Sequence, residues 1–396
     1  MISDVSPVLR RIAARLRRQF AVPSEARAIY LIAAAGQPNF GDEFITRAWL
    51  DWLAANHPRA EVWLDCMEPG RAAHLFRETH PNLRTTNTLW QTAHAGNLGE
   101  TRADATRLES LVANLGSPKN DFGLRELRRM NSLHLLGGGY INSVWPNNLS
   151  IVAAMTAVKQ LFGVKIFATG QGLMPHDQQT RDWLARQLSM FDFAEARDAP
   201  SAETFRVHAG TDDAFLAFAN RRPIYSVDED LPSRMILVQG DDMFDDSRTP
   251  NLTELVSRFV ESAARNDDVG FAEGIPPEDM RFAGDHVRQG ARAYPFMRMW
   301  DEGFPARSGQ EWLTSRFHFH LLAAAAGADG EFVVARDGYY DVKHALLREL
   351  GTGWRPADPS TNATEPTEGQ LPPFPETARS LGRAKAQLAV RLYGRR

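Results

Sequence analysis

Short apolar runs rich in β-branched residues alternate along the chain with longer stretches whose apolar residues recur every three to four positions. This is the pattern of strands feeding helices in mostly parallel sheets. In the first half the strand pattern falls on Ala28 to Ala34, Val62 to Asp65, Ser132 to Leu136, Lys165 to Thr169 and Phe191 to Ala196. In the second half it falls on Arg234 to Gln239, Asp268 to Glu273, Ala291 to Tyr294 and Glu331 to Ala335. Helices are expected there over Asn251 to Asn266, Phe317 to Ala326 and Val342 to Leu350. A polar, proline-containing run at 221–232 separates the halves. The predicted fold is therefore α/β: two Rossmann-like domains over 28–225 and 226–355, facing across a cleft, because open parallel sheets bind ligands outside the carboxyl ends of their strands.

Outside these halves the periodicity changes. Val8, Ile12, Leu16 and Phe20 form one helical stripe beside an arginine face, so 1–27 reads as a basic amphipathic helix. A linker rich in Pro, Thr and Glu covers 356–377, and 378–396 reads as a second basic helix. Such ends either pack against the body or make peripheral contact with anionic membrane.

Composition narrows the function. With 396 residues, 43% of them apolar, the chain buries a substantial core, and a net charge of −4 gives it no global field for nucleic acid. The single cysteine, Cys66, forms no intrachain disulfide, which suits a reducing, cytoplasmic setting. No apolar run has the length of a membrane span, and the N-terminus lacks a signal-peptide core.

Five segments carry candidate chemistry. In the first, Gly36 to Leu50, a loop containing Asn39 and Gly41 follows a strand and opens a helix. Asp42 and Glu43 then fall in the first helical turn, where carboxylates suit the positive end of the helix dipole, as ligands or as capping groups. Two glycine turns, Gly137 to Gly139 and Gly170 to Pro175, end strands at one sheet edge and let backbone approach a bound group. They lack the spacing of a dinucleotide turn, so no nicotinamide cofactor is implied. Arg197 follows another strand, as an anion ligand or as the partner of Asp198.

The segment Glu311 to Gly327 is the most informative. Thr314 and Ser315 read as N-caps of an alanine-rich helix, which places Arg316 and His318 in its first turn. A guanidinium, an imidazole and a helix N-terminus together make an anion site. His318 and His320 diverge on a helix, so they do not read as a zinc pair, and His320 reads as packing. Lys343, early in the next helix, is either a surface charge or a substrate contact.

Taken in order, these segments resemble the polysaccharide pyruvyl transferase family. The residues carrying the resemblance are Asn39, Gly41, Asp42 and Glu43, then Gly137 to Gly139, Gly170 to Pro175, and Arg197, Asp198 and Ser201. After them come Asp212 to Phe215 and the Ser315, Arg316, His318 helix start. The resemblance implies a fold like that of GT-B glycosyltransferases. It also implies transfer of pyruvate from phosphoenolpyruvate, a donor substrate rather than a cofactor, to two hydroxyls of a sugar in a polysaccharide or its precursor, with no metal.

On that reading His318 is the general acid or phosphate-side donor, and Asp42 or Glu43 is the base or sugar ligand. Arg316, Arg197, Ser315, Lys343, Asn39, Gly41, Gly138, Gly139 and Gly172 line the substrates. The alternatives are a nucleotide-sugar glycosyltransferase and a non-catalytic member serving polysaccharide assembly. No oligomeric state is read from the sequence.

Overall fold

The computed structural model describes residues 27–94, 101–113, 118–239, 249–334, 340–357 and 372–394. The expected helix at 1–27 and most of the expected linker therefore lie outside the described residues. The chain divides into two compact units. Unit 1 comprises residues up to Gln37, Ile45–Asp213 and those from Ala389; unit 2 comprises Pro38–Phe44 and Ala214–Leu388. The sequence division at 225/226 did not anticipate that the short piece 38–44 belongs with the second half.

Unit 1 is built on a seven-stranded parallel sheet in the order β3-β2-β1-β4-β5-β6-β7. Its strands are β1 (Ala28–Ile32), β2 (Glu61–Asp65), β3 (Leu83–Thr86), β4 (Ser132–Leu135), β5 (Lys165–Gln171), β6 (Phe193–Ala196) and β7 (His208–Ala209). All five residues of β1 are buried, as a central strand covered on both faces requires. Helices such as Leu149–Phe162 supply the cover, through Ile151, Met155 and Val158.

Unit 2 repeats the plan with a six-stranded parallel sheet in the order β10-β9-β8-β11-β12-β13. These strands are β8 (Arg234–Leu237), β9 (Val269–Ala272), β10 (Arg292–Tyr294), β11 (Glu311–Thr314), β12 (Asp329–Phe332) and β13 (Arg355–Pro356). In both units the strand order runs outward from the first strand in both directions, the doubly wound arrangement of a Rossmann-like fold.

The elements differ from the sequence pattern in identifiable places. β5 runs through Gln171, two residues past its expected end, with a register shift against β6 at the left-handed Gly170, φ 60°. The strand expected at Glu331 to Ala335 is instead Asp329–Phe332, and residue 335 lies outside the described residues. The helices at Thr249–Glu261, Phe317–Ala325 and Tyr340–Glu349 fall near their expected spans.

Four strands, β3, β7, β11 and β13, carried no recognised pattern. β11 matters most, because it is the inner strand beside β8 and its Trp312, Leu313 and Thr314 are buried. Its polar end, Thr-Ser-Arg, resembles a helix start, which is why Thr314 and Ser315 read as caps. In the structure the N-cap is Arg316, with extended backbone and no side-chain cap bond.

The basic C-terminal helix begins earlier than expected, at Phe374, and runs to Tyr393. Its apolar side is inside the protein. Within unit 2, Phe374 lies against Phe215 with ring centroids 6.4 Å apart, and Gly382 packs under the Phe215 carbonyl. Within unit 1, Tyr393 hydrogen-bonds His134 Nδ1 at 2.8 Å and contacts Trp49 and Phe167. With that face buried, this helix offers lipid only its polar side. Among the described residues no helix is long and apolar enough to cross a membrane.

Candidate functional site

The sheet of unit 2 reverses its strand order between β8 and β11, so a crevice is expected at their carboxyl ends. Ser315, the buried residue that follows β11, ties the two ends together. Its N–H donates to the Leu237 carbonyl at 3.1 Å, and its Oγ accepts from the Gln239 N–H at 2.9 Å. The chain then turns into the helix Phe317–Ala325, with His318 as its second residue.

Arg316 is held from the segment that follows β9, two strands away in the sheet. Its Nε and Nη2 donate to the two oxygens of Asp279 at 2.9 and 2.7 Å, and both side chains are buried. The same carboxylate accepts the N–H groups of Gly274 and Ile275, at 3.0 and 2.8 Å, in the turn after β9. One edge of the guanidinium fork is thus committed to a protein carboxylate. The sequence assigns the fork to a bound anion, and Asp279, in the Gly-Ile-Pro-Pro-Glu-Asp run after β9, is a partner that no periodic pattern marks.

The segment 38–44 docks onto this turn. The Phe40 N–H donates to the Gly274 carbonyl at 2.9 Å. Its buried ring lies 5.5 to 6.2 Å from the rings of Phe296, Trp300, Phe304 and Phe319, an aromatic anchor that the sequence analysis had not weighed. Asn39 opens the helix Phe40–Asn56: its Oδ1 accepts the Gly41 N–H at 3.3 Å, and its Nδ2 donates to Asp42 Oδ2 at 2.8 Å. Asp42 is half-buried and Glu43 fully buried.

Gly41 makes the closest approach. A Cβ there would stand 2.0 Å from His318 Nδ1, so only glycine lets the backbone meet the imidazole. The structure therefore brings Asn39, Gly41, Asp42 and Glu43 into one unit with Ser315, Arg316 and His318.

Behind Ser315 lies a buried aromatic stack. His344 Nε2 is 3.3 Å from the Ser315 carbonyl, His344 Nδ1 is 3.1 Å from His320 Nδ1, and His320 Nε2 is 3.0 Å from Thr352 Oγ1. Burial pushes the His344 pKa down to about 3 and that of His320 well below the ordinary value, so both rings are neutral. Lys343 is half-buried beside His344 on the helix Tyr340–Glu349.

The remaining expected residues belong to unit 1. Arg197 is buried, and its Nη1 donates to Asp212 at 2.7 Å; the expected alternative partner, Asp198, instead caps the helix Ala199–Phe205 by accepting the Ser201 N–H. A Cβ on Gly172 would lie 2.8 Å from the Arg197 guanidinium. Asp213 accepts from Gly137 N–H, Thr169 Oγ1 and Trp49 Nε1 at 2.9, 2.6 and 2.8 Å, and a Cβ on Gly137 or Gly170 would press on it. Gly138 bonds to the other turn, its carbonyl accepting the Gly172 N–H at 2.8 Å, and the Gly139 carbonyl accepts from Asn142 Nδ2 at 2.9 Å. Gly137, Gly170 and Gly172 thus admit the protein's own polar side chains.

A cavity of about 780 Å³ lies at the opposite, amino end of the unit 2 sheet. Arg234, Arg258 and Arg355 are balanced there by Glu311, Asp329 and Glu331, so it has no net preference for an anion.

A family model for polysaccharide pyruvyl transferase matches residues 39–271. The match begins at Asn39 and spans the unit 1 turns, and the Ser315 to His318 segment lies beyond it. No curated protein matches the chain. Among solved structures, the chain is similar to UDP-GlcNAc 2-epimerase from Neisseria meningitidis bound to UDP-GlcNAc, with TM-score 0.49, 9% identity and coverage of 93% of this chain and 99% of that one. It is also similar to the S. aureus MnaA–UDP co-structure, with TM-score 0.48, 12% identity and coverage of 93% and 90%. A glycosyltransferase from Rickettsia africae gives TM-score 0.44, 9% identity and coverage of 92% and 94%.

Proposed function

Since the chain belongs to the polysaccharide pyruvyl transferase family, we propose that it transfers pyruvate from phosphoenolpyruvate to two hydroxyls of a sugar in a cell-surface polysaccharide or its precursor. The observation that supports this reading is the close approach of Gly41, next in sequence to Asp42 and Glu43, to the His318 ring at the start of the helix Phe317–Ala325.

The chemistry needs both sides. One sugar hydroxyl adds to C2 of the enol while C3 takes a proton and becomes the methyl group. The second hydroxyl then displaces phosphate at C2, which closes the ketal. His318 delivers the proton to C3 or donates to the leaving phosphate, and Asp42 or Glu43 receives a hydroxyl proton. The N-terminal turn of the helix Phe317–Ala325, with Arg316 at its cap, stabilises charge on the departing phosphate. Arg316 itself is oriented by Asp279, which fixes the guanidinium plane before substrate arrives. Of the other residues that the family resemblance names, Lys343 is kept as a substrate contact within unit 2, whereas Ser315 is committed to Leu237, Gln239 and His344, and Arg197, Gly138, Gly139 and Gly172 bond or pack within unit 1.

The test is release of phosphate from phosphoenolpyruvate that depends on an added sugar acceptor. Wild type is expected to show it, and His318→Ala to lose at least about 100-fold in turnover with its circular dichroism unchanged. Wild-type-like turnover in that variant removes the assignment.

A further inference from the structure

Ser315 has all its polar atoms engaged, and the partner of its carbonyl is a histidine that no proposed chemical step uses. A carbonyl oxygen only accepts, so the nitrogen facing it, His344 Nε2, carries the hydrogen. A neutral ring with its hydrogen on Nε2 presents a bare Nδ1. That atom faces His320 Nδ1 at 3.1 Å, so His320 must donate from Nδ1. The Nε2 of His320 is then bare and accepts from the Thr352 hydroxyl at 3.0 Å. Each bond fixes the direction of the next, and only one tautomer of each ring fits.

The rings are clamped as well as bonded. His320 stacks on Trp354 with centroids 4.3 Å apart, and His344 stacks on Phe332 at 4.6 Å. Both imidazoles are completely buried. Charged neighbours, Lys343 beside His344 and Arg348 near His320, further disfavour a second proton on either ring.

We propose that Thr352, His320 and His344 form a one-way hydrogen-bond chain that positions the Ser315–Arg316 peptide, and through it aims Arg316 and His318 at the anionic donor substrate. The two histidines are positioning residues, and only the identity of the donor substrate rests on the pyruvyl transfer reading. The geometry behind it is the complete pinning of Ser315: N–H to Leu237, Oγ to Gln239, carbonyl to His344. With Arg316 N–H also bonded to Thr314 Oγ1 at 3.1 Å, the peptide entering the helix has one orientation.

The experiment has two arms. Nitrogen-15 correlation spectra of histidine-labelled protein read the tautomers directly: His344 is expected as the Nε2–H form and His320 as the Nδ1–H form. The reverse form at either ring overturns the chain, whatever the substrate. In the second arm His344→Gln keeps an N–H at the Nε2 position, and His344→Leu removes it.

The Leu variant is expected to shift the His318 ring resonances, to raise KM for phosphoenolpyruvate about tenfold and to lower kcat about tenfold. The Gln variant should stay within about threefold in both. Unshifted His318 signals in the Leu variant, or equal behaviour of the two variants, overturns the positioning role. If wild type binds no phosphoenolpyruvate while the tautomers and the His318 shifts follow expectation, the substrate reading fails and the positioning chain stands.

Discussion

The two units share one strand order and use the carboxyl ends of their sheets in opposite ways. In unit 1 the glycine turns after β4 and β5 close on the protein's own groups: Asp213 takes three donors, and Arg197 is paired with Asp212 beneath Gly172. In unit 2 the corresponding end opens with a helix whose cap makes no side-chain bond, and a glycine of the segment 38–44 lies against its histidine. A glycine therefore marks close approach in both units, at strand ends in unit 1 and in the first turn of the helix Phe40–Asn56 in unit 2, but the group approached differs. In one it is a structural carboxylate; in the other it is the imidazole proposed to do the chemistry.

The strongest way to break this comparison is through the two buried arginine–aspartate pairs. Removing one member of such a pair costs about 3–5 kcal/mol, because the other charge stays out of water. Asp212→Ala and Asp279→Ala are each expected to lose that much in denaturant unfolding, Asp279→Ala the more, since it also strips the Gly274 and Ile275 N–H groups of their acceptor. Replacing both members with apolar residues, Arg197→Met with Asp212→Leu or Arg316→Met with Asp279→Leu, should regain most of the stability. The second double variant should regain no turnover. Recovery of phosphate release there would put the cationic role elsewhere.

These pairs also show what the sequence could convey. Arg197, Arg316 and His318 were legible because cations at a strand end or helix start are conspicuous next to glycine and alanine. Asp279 was not, because an acidic pair, Glu278 and Asp279, after two prolines is indistinguishable from a solvated turn, and its meaning comes from β9 and β11 lying on either side of β8. β11 was hidden because a four-residue strand ending in Thr314 and followed by Ser315 and Arg316 matches the rule for a helix cap as well as the rule for a strand. The strands β1, β4 and β5, buried along almost their whole length and not followed by a cap-like sequence, were read to within two residues of their ends. The assignment of 38–44 to unit 2 was beyond local pattern, since it depends on the Phe40 ring finding Phe296, Trp300, Phe304 and Phe319.

Next in size is a single methyl group. Gly41→Ala places a Cβ 2.0 Å from His318 Nδ1, so the imidazole must move, and turnover should fall about 100-fold. Gly70→Ala is the control: it sits in the helix Pro69–Leu75 with nothing within 4 Å of the new atom. Alanine suits a helix better than glycine, so that variant should be unchanged or slightly more stable. If Gly41→Ala turns over at the control's rate, the contact with His318 is not part of the site.

The smallest effect separates the units by pH. His320 and His344 stay neutral in folded unit 2, whereas in the unfolded chain they take up protons near pH 6.5. Between pH 6.5 and the folded value of about 3 for His344, the unfolded state holds the extra proton, so stability is lost as pH falls. At pH 5 this amounts to about 2 kcal/mol for His344 alone. In unit 1, His80 and His176 pull in the same direction, but Asp65 opposes them. Burial raises its pKa to about 7, so the folded state holds the extra proton from pH 7 down to the ordinary carboxylate range, and acidification stabilises it. Between pH 7 and 5, amide exchange corrected for its intrinsic rate should therefore accelerate in β11 and β12 and change less in β1 and β2. Asp65→Asn removes the opposing group and should make β1 and β2 acid-sensitive too. Equal acceleration in both sheets of the wild-type protein would show that the buried histidines of unit 2 do not set its response to acid.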